Sequence, residues 1–138
     1  MSAGIHIKEE HVDLFNQLKI DKKFRALIFG LNKERNAIEL FKECDRNYSL
    51  KDLESDLPNN DCRFVIYDFE YQTFENPPRE TSKLLLIHWA PDSASIKVKV
   101  PFTATKSEVK GSFSGIQKDI QASDFAILDF EELRKECC

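Results

Sequence analysis

The spacing of apolar residues along the chain switches several times between a helical and an extended period. Near the start, Val12, Phe15 and Leu18 recur at every third position, which is typical of the buried face of a helix. Residues 62–71 have a continuous apolar middle instead, which is typical of a central strand covered on both faces. The whole pattern predicts helices at 8–18, 49–56 and 129–137, the last with Leu133 facing inward, and strands at 24–31, 37–42, 62–71 and 83–89.

Turn and capping residues indicate how these elements are joined. Ser49, with Asp52 three positions later, forms a weak capping box at the start of a short helix. Residues 32–36 are typical of a hairpin turn, 72–82 of a surface loop, and 116–123 of a helical turn followed by a short edge strand. Helices alternate with pairs of strands, so we predict an α/β sandwich, with one mixed sheet and helices on both faces.

The segment after Trp89 supports two interpretations. From about Val98 onward, apolar residues recur with a helical period. Residues 96–100, however, alternate as in a strand, and Pro101 lacks a backbone donor, so a helix either begins close to Pro101 or bends there. The residues that would face the core of such a helix are Val98, Phe102, Val109, Phe113 and Ile116.

A second stripe lies one position away on the same predicted helix. It combines basic and small side chains, namely Lys99, Thr103, Lys106 and Lys110 beside Ala104, Ser107 and Gly111. Small residues let another surface come close, and the lysines give the face a positive edge. The pattern fits either a protein-binding ridge or the solvated face of an amphipathic helix.

Length and charge narrow the class of protein. The 138 residues predict a single domain over 1–138, with 1–7 as a flexible N-terminal arm. A net charge of −4 disfavours general nucleic-acid binding, which requires a basic footprint. The sequence shows neither a membrane span nor a signal-peptide core, so we expect a cytoplasmic monomer with reduced thiols and an exposed Cys137-Cys138 pair.

The sequence offers little catalytic chemistry. Its three histidines lack the spacing of metal ligands, and we expect His88 to be a hydrogen-bonded core or face residue. Asp68 and Glu70 share one face of a predicted strand, where an acid/base pair is conceivable but a structural role is favoured. We therefore predict a protein that is not an enzyme and uses neither a metal nor a cofactor.

A series of short motifs follows along the second half of the chain: Tyr67-Asp68, Trp89, Pro91–Ala94, Lys97–Lys99, Thr105-Lys106 and Gly115. In type, order and spacing this series resembles the actin-depolymerising factor (ADF)/cofilin family, and the resemblance covers essentially the whole chain. It implies the ADF-homology fold, a mixed sheet of five or six strands between helices. A long helix crosses one face of the sheet in this fold, so the resemblance favours the helical interpretation of 96–100.

The resemblance also implies a function and a binding surface. Members of the family bind actin monomers, preferentially in the ADP form, and the sides of filaments, which they depolymerise or sever without a metal or cofactor. The implied partners are therefore G-actin and F-actin. The positions that match the family's monomer-binding surface are Ser2, Ala3, Gly4, Ile5, Lys97, Lys99, Val100, Thr103 and Lys106.

Other family features are depleted or displaced in this chain. The matching filament-binding positions are Lys83, Arg134 and Lys135, so we expect filament binding, and with it severing, to be weak. The regulatory serine of many members lies directly before Gly4, where this chain has Ala3; Ser2 is the alternative phosphorylation site. The lysine stripe that continues to Lys110 is either a phosphoinositide site or simply solvated.

Two other functions stay open at this point. The related glia maturation factor group has the same fold and acts on the Arp2/3 complex at filament branches. Lys97-Val-Lys99 after the Pro91–Ala94 turn favours actin itself over that alternative. The second alternative, a small-molecule enzyme on an α/β sandwich, is disfavoured by the missing motifs.

Overall fold

The computed structural model describes residues 6–138, which form a five-stranded mixed sheet with the strand order β2-β1-β3-β4-β5. Neighbouring strands are antiparallel except for the parallel pair of β4 and β5. The sheet confirms the predicted α/β class and places the apolar strand 63–72 at its centre. The strands are β1 (Ala26–Leu31), β2 (Ile38–Cys44), β3 (Arg63–Gln72), β4 (Glu80–Trp89) and β5 (Lys118–Ala122).

Helices cover both faces of this sheet and separate two apolar cores. Phe15 and Leu18 join Phe102, Val109 and Phe113 on one face. The other face carries a second core that includes Leu53 and Leu133, and the inward position of Leu133 was predicted from the sequence. The helices are α1 (Glu9–Lys19), α2 (Leu50–Asp56), α3 (Ile96–Ala104), α4 (Lys106–Ser112) and α5 (Phe130–Cys137).

The long helix on the first face is interrupted, but not where the sequence suggested. It begins at Ile96 and contains Pro101, and the interruption lies at Thr105. Both the N–H and the hydroxyl of Thr105 donate to the carbonyl of Phe102, at 3.2 and 2.8 Å. These bonds replace regular helical pairing at the junction of α3 and α4. A helix start at Pro101 and the extended interpretation of 96–100 are therefore both wrong.

Two other boundaries differ from the prediction. β4 begins at Glu80, because the backbone of Glu80–Ser82 pairs with the end of β3 although its side chains are polar and mostly exposed. Residues 116–123 contain β5 as an edge strand but no helical turn, while a 3₁₀ turn that the pattern missed lies at Ala126–Leu128. The early start of β4 was missed because strand pairing satisfies the backbone there, and polar side chains do not reveal it.

The structure confirms the predicted helix cap but corrects one residue at the C-terminal end. The Ser49 capping box is confirmed: Asp52 N–H donates to Ser49 Oγ at 3.2 Å, and Ser49 N–H donates to Asp52 Oδ2 at 2.9 Å. At the other end of the chain, Cys137 is buried under the sheet and only Cys138 is exposed, so the predicted exposure of both was wrong for Cys137. In the described part of the chain, no helix has the length and apolar composition to cross a membrane.

Candidate functional site: the exposed face of helix α3

Helix α3 exposes apolar side chains on the face that points away from the sheet. Ile96 is 77% exposed and Val100 is 61% exposed, and they lie one helical turn apart. Exposed Lys97 and Thr103 extend the same region. We call these residues, Ile96, Lys97, Val100 and Thr103, the α3 surface.

The opposite face of α3 fixes this surface to the sheet. Phe102 is 4% exposed, and its ring stacks on Phe64 of β3 with the centroids 4.1 Å apart. Val98 packs against the same core from one turn earlier. The predicted apolar stripe therefore determines which residues of α3 face outward.

The turn before α3 is also anchored. Trp89 at the end of β4 is buried, and its Nε1–H donates to the carbonyl of Pro58 at 2.6 Å. The Ser93 hydroxyl donates to the carbonyl of Asn59, and Ala94 N–H donates to the carbonyl of Pro91 at 3.0 Å. These bonds hold the start of α3 in one place relative to the sheet.

The two lysines of the Lys97-Val-Lys99 motif lie in different surroundings. Lys97 is the second residue of α3 and its side chain is exposed. Lys99 is half-buried, with its Nζ 3.5 Å from the carbonyl oxygen of Asp92. Both could face one partner only if Lys97 preceded the helix, and that condition is not met. The structure leaves Lys97 as the exposed cation of the motif.

Of the two lysines farther along, one pairs with the sheet and the other is partly covered. Lys110 Nζ lies 2.8 Å from Asp119 Oδ2 of β5, and Lys106 is half-buried. Ala104, Ser107 and Gly111 are exposed between them, as the second stripe of the sequence predicts. The positive edge of this ridge is thus partly neutralised within the protein.

His88 lies beneath this part of the helix and was predicted incorrectly in one respect. Its ring is 2% exposed and meets Phe64 edge-on, but among residues 6–138 neither ring nitrogen has a hydrogen-bond partner. Burial, followed by the charge of Lys106, lowers the pKa of His88 to about 4. His88 is therefore a neutral core residue, but not a satisfied one.

Asp68 and Glu70 form part of an ion-pair network. Asp68 is 1% exposed, and its Oδ2 lies 3.0 Å from Arg46 Nη1 and 3.2 Å from Lys22 Nζ. Glu70 Oε1 lies 2.6 Å from Arg25 Nη1 and 3.2 Å from Arg46 Nη2. The network ties β3 to the segments that flank β1 and β2, which supports the structural role over acid/base chemistry.

The three positions matched to filament binding make contacts within the protein. Lys83 Nζ donates to the carbonyl of Cys137 at 2.7 Å, which caps the end of α5. Arg134 Nε donates to the carbonyl of Gln72 at 2.6 Å, and its guanidinium lies 4.0 Å from the centroid of the Phe74 ring. Lys135 is exposed, with its Nζ 3.5 Å from Glu132 Oε1. Only Lys135 keeps most of its charge exposed to solvent.

Some predicted positions gain nothing from the structure, and one exposed residue had been overlooked. Ser2, Ala3, Gly4 and Ile5 lie outside the described residues. Within 6–138, no three His, Cys, Asp or Glu side chains form a metal-binding group.

Ile96 was overlooked because the alternation of 96–100 resembled a strand. The i, i+4 spacing of Ile96 and Val100, on the side opposite Phe102, was the signal for an exposed apolar face.

The fold and this surface define an α/β protein with an exposed apolar face on one helix. Comparison with known proteins agrees: a sequence model of the family described as cofilin/tropomyosin-type actin-binding proteins matches residues 4–138. The chain belongs to this family, also called ADF/cofilin, and is an actin-binding protein of that class.

Individual relatives are similar over most of their length. Actophorin from Acanthamoeba castellanii is 36% identical over 124 residues, which cover 90% of this chain and 88% of actophorin. Cofilin from Saccharomyces cerevisiae is 31% identical over 131 residues, covering 95% of this chain and 90% of that protein. The crystal structure of Streptomyces griseoflavus cofilin has a TM-score of 0.86 at 33% identity, with 96% of each chain covered.

Proposed function

We propose that this protein binds actin monomers through the α3 surface, prefers their ADP form, and promotes filament depolymerisation with weak severing. One observation carries the proposal: Ile96 and Val100 expose an apolar face on a rigidly packed helix, with Lys97 beside it. An exposed apolar pair next to a cation suits a partner with an apolar cleft and an acidic rim. The cofilin and actophorin relatives favour actin over the Arp2/3 complex as that partner.

Within the α3 surface, we assign the main charge contact to Lys97. A lysine desolvated at the centre of an interface typically contributes about 2 kcal/mol or more, whereas one at the rim contributes far less. Lys99 and Lys106, which are half-buried, serve as secondary contacts. Val100 and Thr103 supply contact area beside Lys97.

The N-terminal segment completes the proposed surface on the basis of the family resemblance. Ser2, Ala3, Gly4 and Ile5 occupy the positions that would enter the actin cleft together with α3. Phosphorylation of Ser2 would add about −1.5 to −2 charges, which would repel an acidic cleft. We therefore propose Ser2 as the site at which modification would weaken binding.

The three positions matched to filament binding, Lys83, Arg134 and Lys135, support weak attachment to the sides of filaments. Lys83 and Arg134 already donate to backbone carbonyls of this chain, so contact with a filament would have to compete with those bonds. Lys135 is the remaining exposed cation of the three, and Glu132 is close to it. This arrangement supports binding to monomers over stable attachment to filament sides.

Cosedimentation with actin filaments tests the proposal. We expect the protein to raise the amount of unsedimented actin while little of it pellets, and Lys97→Ala to reduce this effect strongly. Lys51→Ala is the matched control, because Lys51 is exposed on α2, on the opposite face of the sheet. Saturation of the filaments at low protein concentration, with no rise in unsedimented actin, would refute it.

We also propose that phosphoinositide headgroups compete with actin for the lysines of α3. Both ligands are anionic, and Lys97 is the exposed cation they would share. The pairing of Lys110 with Asp119 argues for weak headgroup binding. Vesicles with and without phosphoinositide, added to an actin-binding assay, test this competition: equal actin affinity with both would contradict it.

A further inference from the structure

The open edge of the sheet borders a groove that the proposed actin contact does not use. Strand β2 is one of the two edge strands of the sheet, bonded to β1 on one side. A groove of about 580 Å³ lies between this edge and helix α1. Its lining includes Glu10, His11, Asp13 and Leu14 of α1 and Glu39 and Leu40 of β2.

Backbone geometry at the start of β2 leaves hydrogen-bonding groups directed away from the sheet. Asn32 N–H donates to the carbonyl of Ala37 at 2.8 Å, so the carbonyl of Ala37 points toward β1. In an antiparallel ladder, successive residues direct their backbone groups to opposite sides. The N–H and carbonyl of Ile38 therefore point to the open edge, where an extended peptide can pair with them.

A bulge limits how long such a peptide can be. Phe29 of β1 pairs with Leu40 and Ile28 pairs with Lys42, so Phe41 is the extra residue of the bulge. Bulges commonly interrupt pairing at sheet edges. Because this one lies after the groove, the open edge beside the groove extends only over Ile38–Leu40.

The charges around the groove favour a basic occupant. Glu10, Asp13 and Glu39 contribute three acidic groups to the lining, against the single basic group of Lys8. Lys8 Nζ lies 4.0 Å from Glu10 Oε1, which leaves Asp13 and Glu39 without a cation from this lining. A lysine or arginine of a bound peptide would complement them.

His11 is the most buried side chain with a titratable group in the lining of this groove. The side chain is 5% exposed and its ring lies edge-on to Phe29, with the centroids 5.2 Å apart. Its Nδ1 is buried and, within the described part of the protein, makes no hydrogen bond. Burial lowers the pKa of His11, so the ring is neutral near pH 7 and offers one donor and one acceptor. Buried polar atoms without partners are rare, but this one has almost no contact with solvent, so a ligand in the open groove does not reach it in this conformation.

We propose that the α1–β2 groove binds a short, extended, basic segment of a partner protein, which adds a strand to the open edge of β2. Hydrogen bonds to Ile38 would set the position of the segment, and its basic side chains would face Asp13 and Glu39. Because α3 and the β2 edge use different residues, the same molecule could bind actin and this segment together.

Titration of the full chain with a Lys-Val-Lys-Val-Lys-Val peptide, followed by amide NMR, tests the proposal. We expect saturable shifts confined to α1 and Ile38–Leu40, and slower hydrogen exchange at the Ile38 amide. Asp13→Lys should weaken binding about tenfold through loss of charge complementarity. Glu54→Lys, the same reversal at an exposed position of α2, should leave the affinity unchanged.

A peptide of the same sequence with every backbone nitrogen methylated separates strand addition from simple charge attraction. It keeps the side chains and charges but has no backbone N–H donors, so we expect it not to bind measurably. Three results would overturn the proposal: no saturable binding of the unmethylated peptide, equal binding of the methylated one, or equal effects of Asp13→Lys and Glu54→Lys.

Discussion

Replacing His88 by phenylalanine tests how the core beneath the long helix responds to acid. The imidazole is buried, with its ring centroid 5.5 Å from that of Phe64. Three charged groups influence it: Lys106 and Lys110 of α4 favour the neutral ring, and Asp119 of β5 favours the protonated one. Burial is the largest influence, and the pKa of His88 falls from 6.5 to about 4.

The sign of the effect follows from linkage. At pH 7 the ring is neutral in the folded chain and mostly neutral in the unfolded chain, so it contributes little pH dependence there. Below pH 6.5 the unfolded chain takes up a proton that the folded chain does not, and the free energy of unfolding declines until about pH 4. The shift from 6.5 to about 4 corresponds to roughly 3 kcal/mol, most of which is lost by pH 4.

Urea unfolding at pH 7 and pH 4, followed by the fluorescence of Trp89, measures this directly. Between the two pH values, the unmodified protein should lose about 3 kcal/mol more stability than His88→Phe, because phenylalanine cannot be protonated. The prediction concerns the change in unfolding free energy between pH 7 and pH 4. A destabilisation caused by the larger phenylalanine ring is the same at both pH values and therefore does not affect this change. His6→Gln is the control, since the His6 side chain is 67% exposed. Equal losses in His88→Phe and the unmodified protein would refute the reasoning.

Three further substitutions probe the elements that support the site, each by urea unfolding at pH 7. Ser49→Ala removes the capping box of α2 and should cost about 1 kcal/mol; an unchanged midpoint would contradict the cap. Phe102→Ala removes the ring stacked on Phe64 and should lower the free energy of unfolding by about 3 to 5 kcal/mol. A loss below about 1 kcal/mol would mean that other contacts hold α3 on the sheet. Gly30→Ala would place a Cβ 2.7 Å from the Phe41 ring and should cost about 1 to 3 kcal/mol, whereas a stabilised protein would show that this ring moves freely.

Much of the fold could be predicted because its signals are local. The spacing of Phe102, Val109 and Phe113 determines the buried face of the long helix whatever lies beneath it. Ser49 and Asp52 define their cap within four residues of sequence. The break at Thr105 was not predicted, because the proline that weakens the helix lies four residues before the place where it is interrupted.

The candidate site was harder to predict because its chemistry depends on distant residues. Nothing near Lys83 in the sequence indicates that its ammonium caps α5 at Cys137. Likewise, the pairing of Lys110 with Asp119 requires β5 to lie parallel to β4, and that order cannot be derived from apolar spacing. Family resemblance located the residues of α3, but only the packing of the helix shows which lysine is exposed.

The affinity of the protein for ADP-loaded actin monomers, measured for Lys97→Ala and Lys99→Ala, tests the central claim most directly. We predict that Lys97→Ala weakens binding at least tenfold, which corresponds to about 1.4 kcal/mol or more, and that Lys99→Ala has a smaller effect. Binding by Lys97→Ala that matched the unmodified protein would show that the exposed face of α3 is not where actin is held.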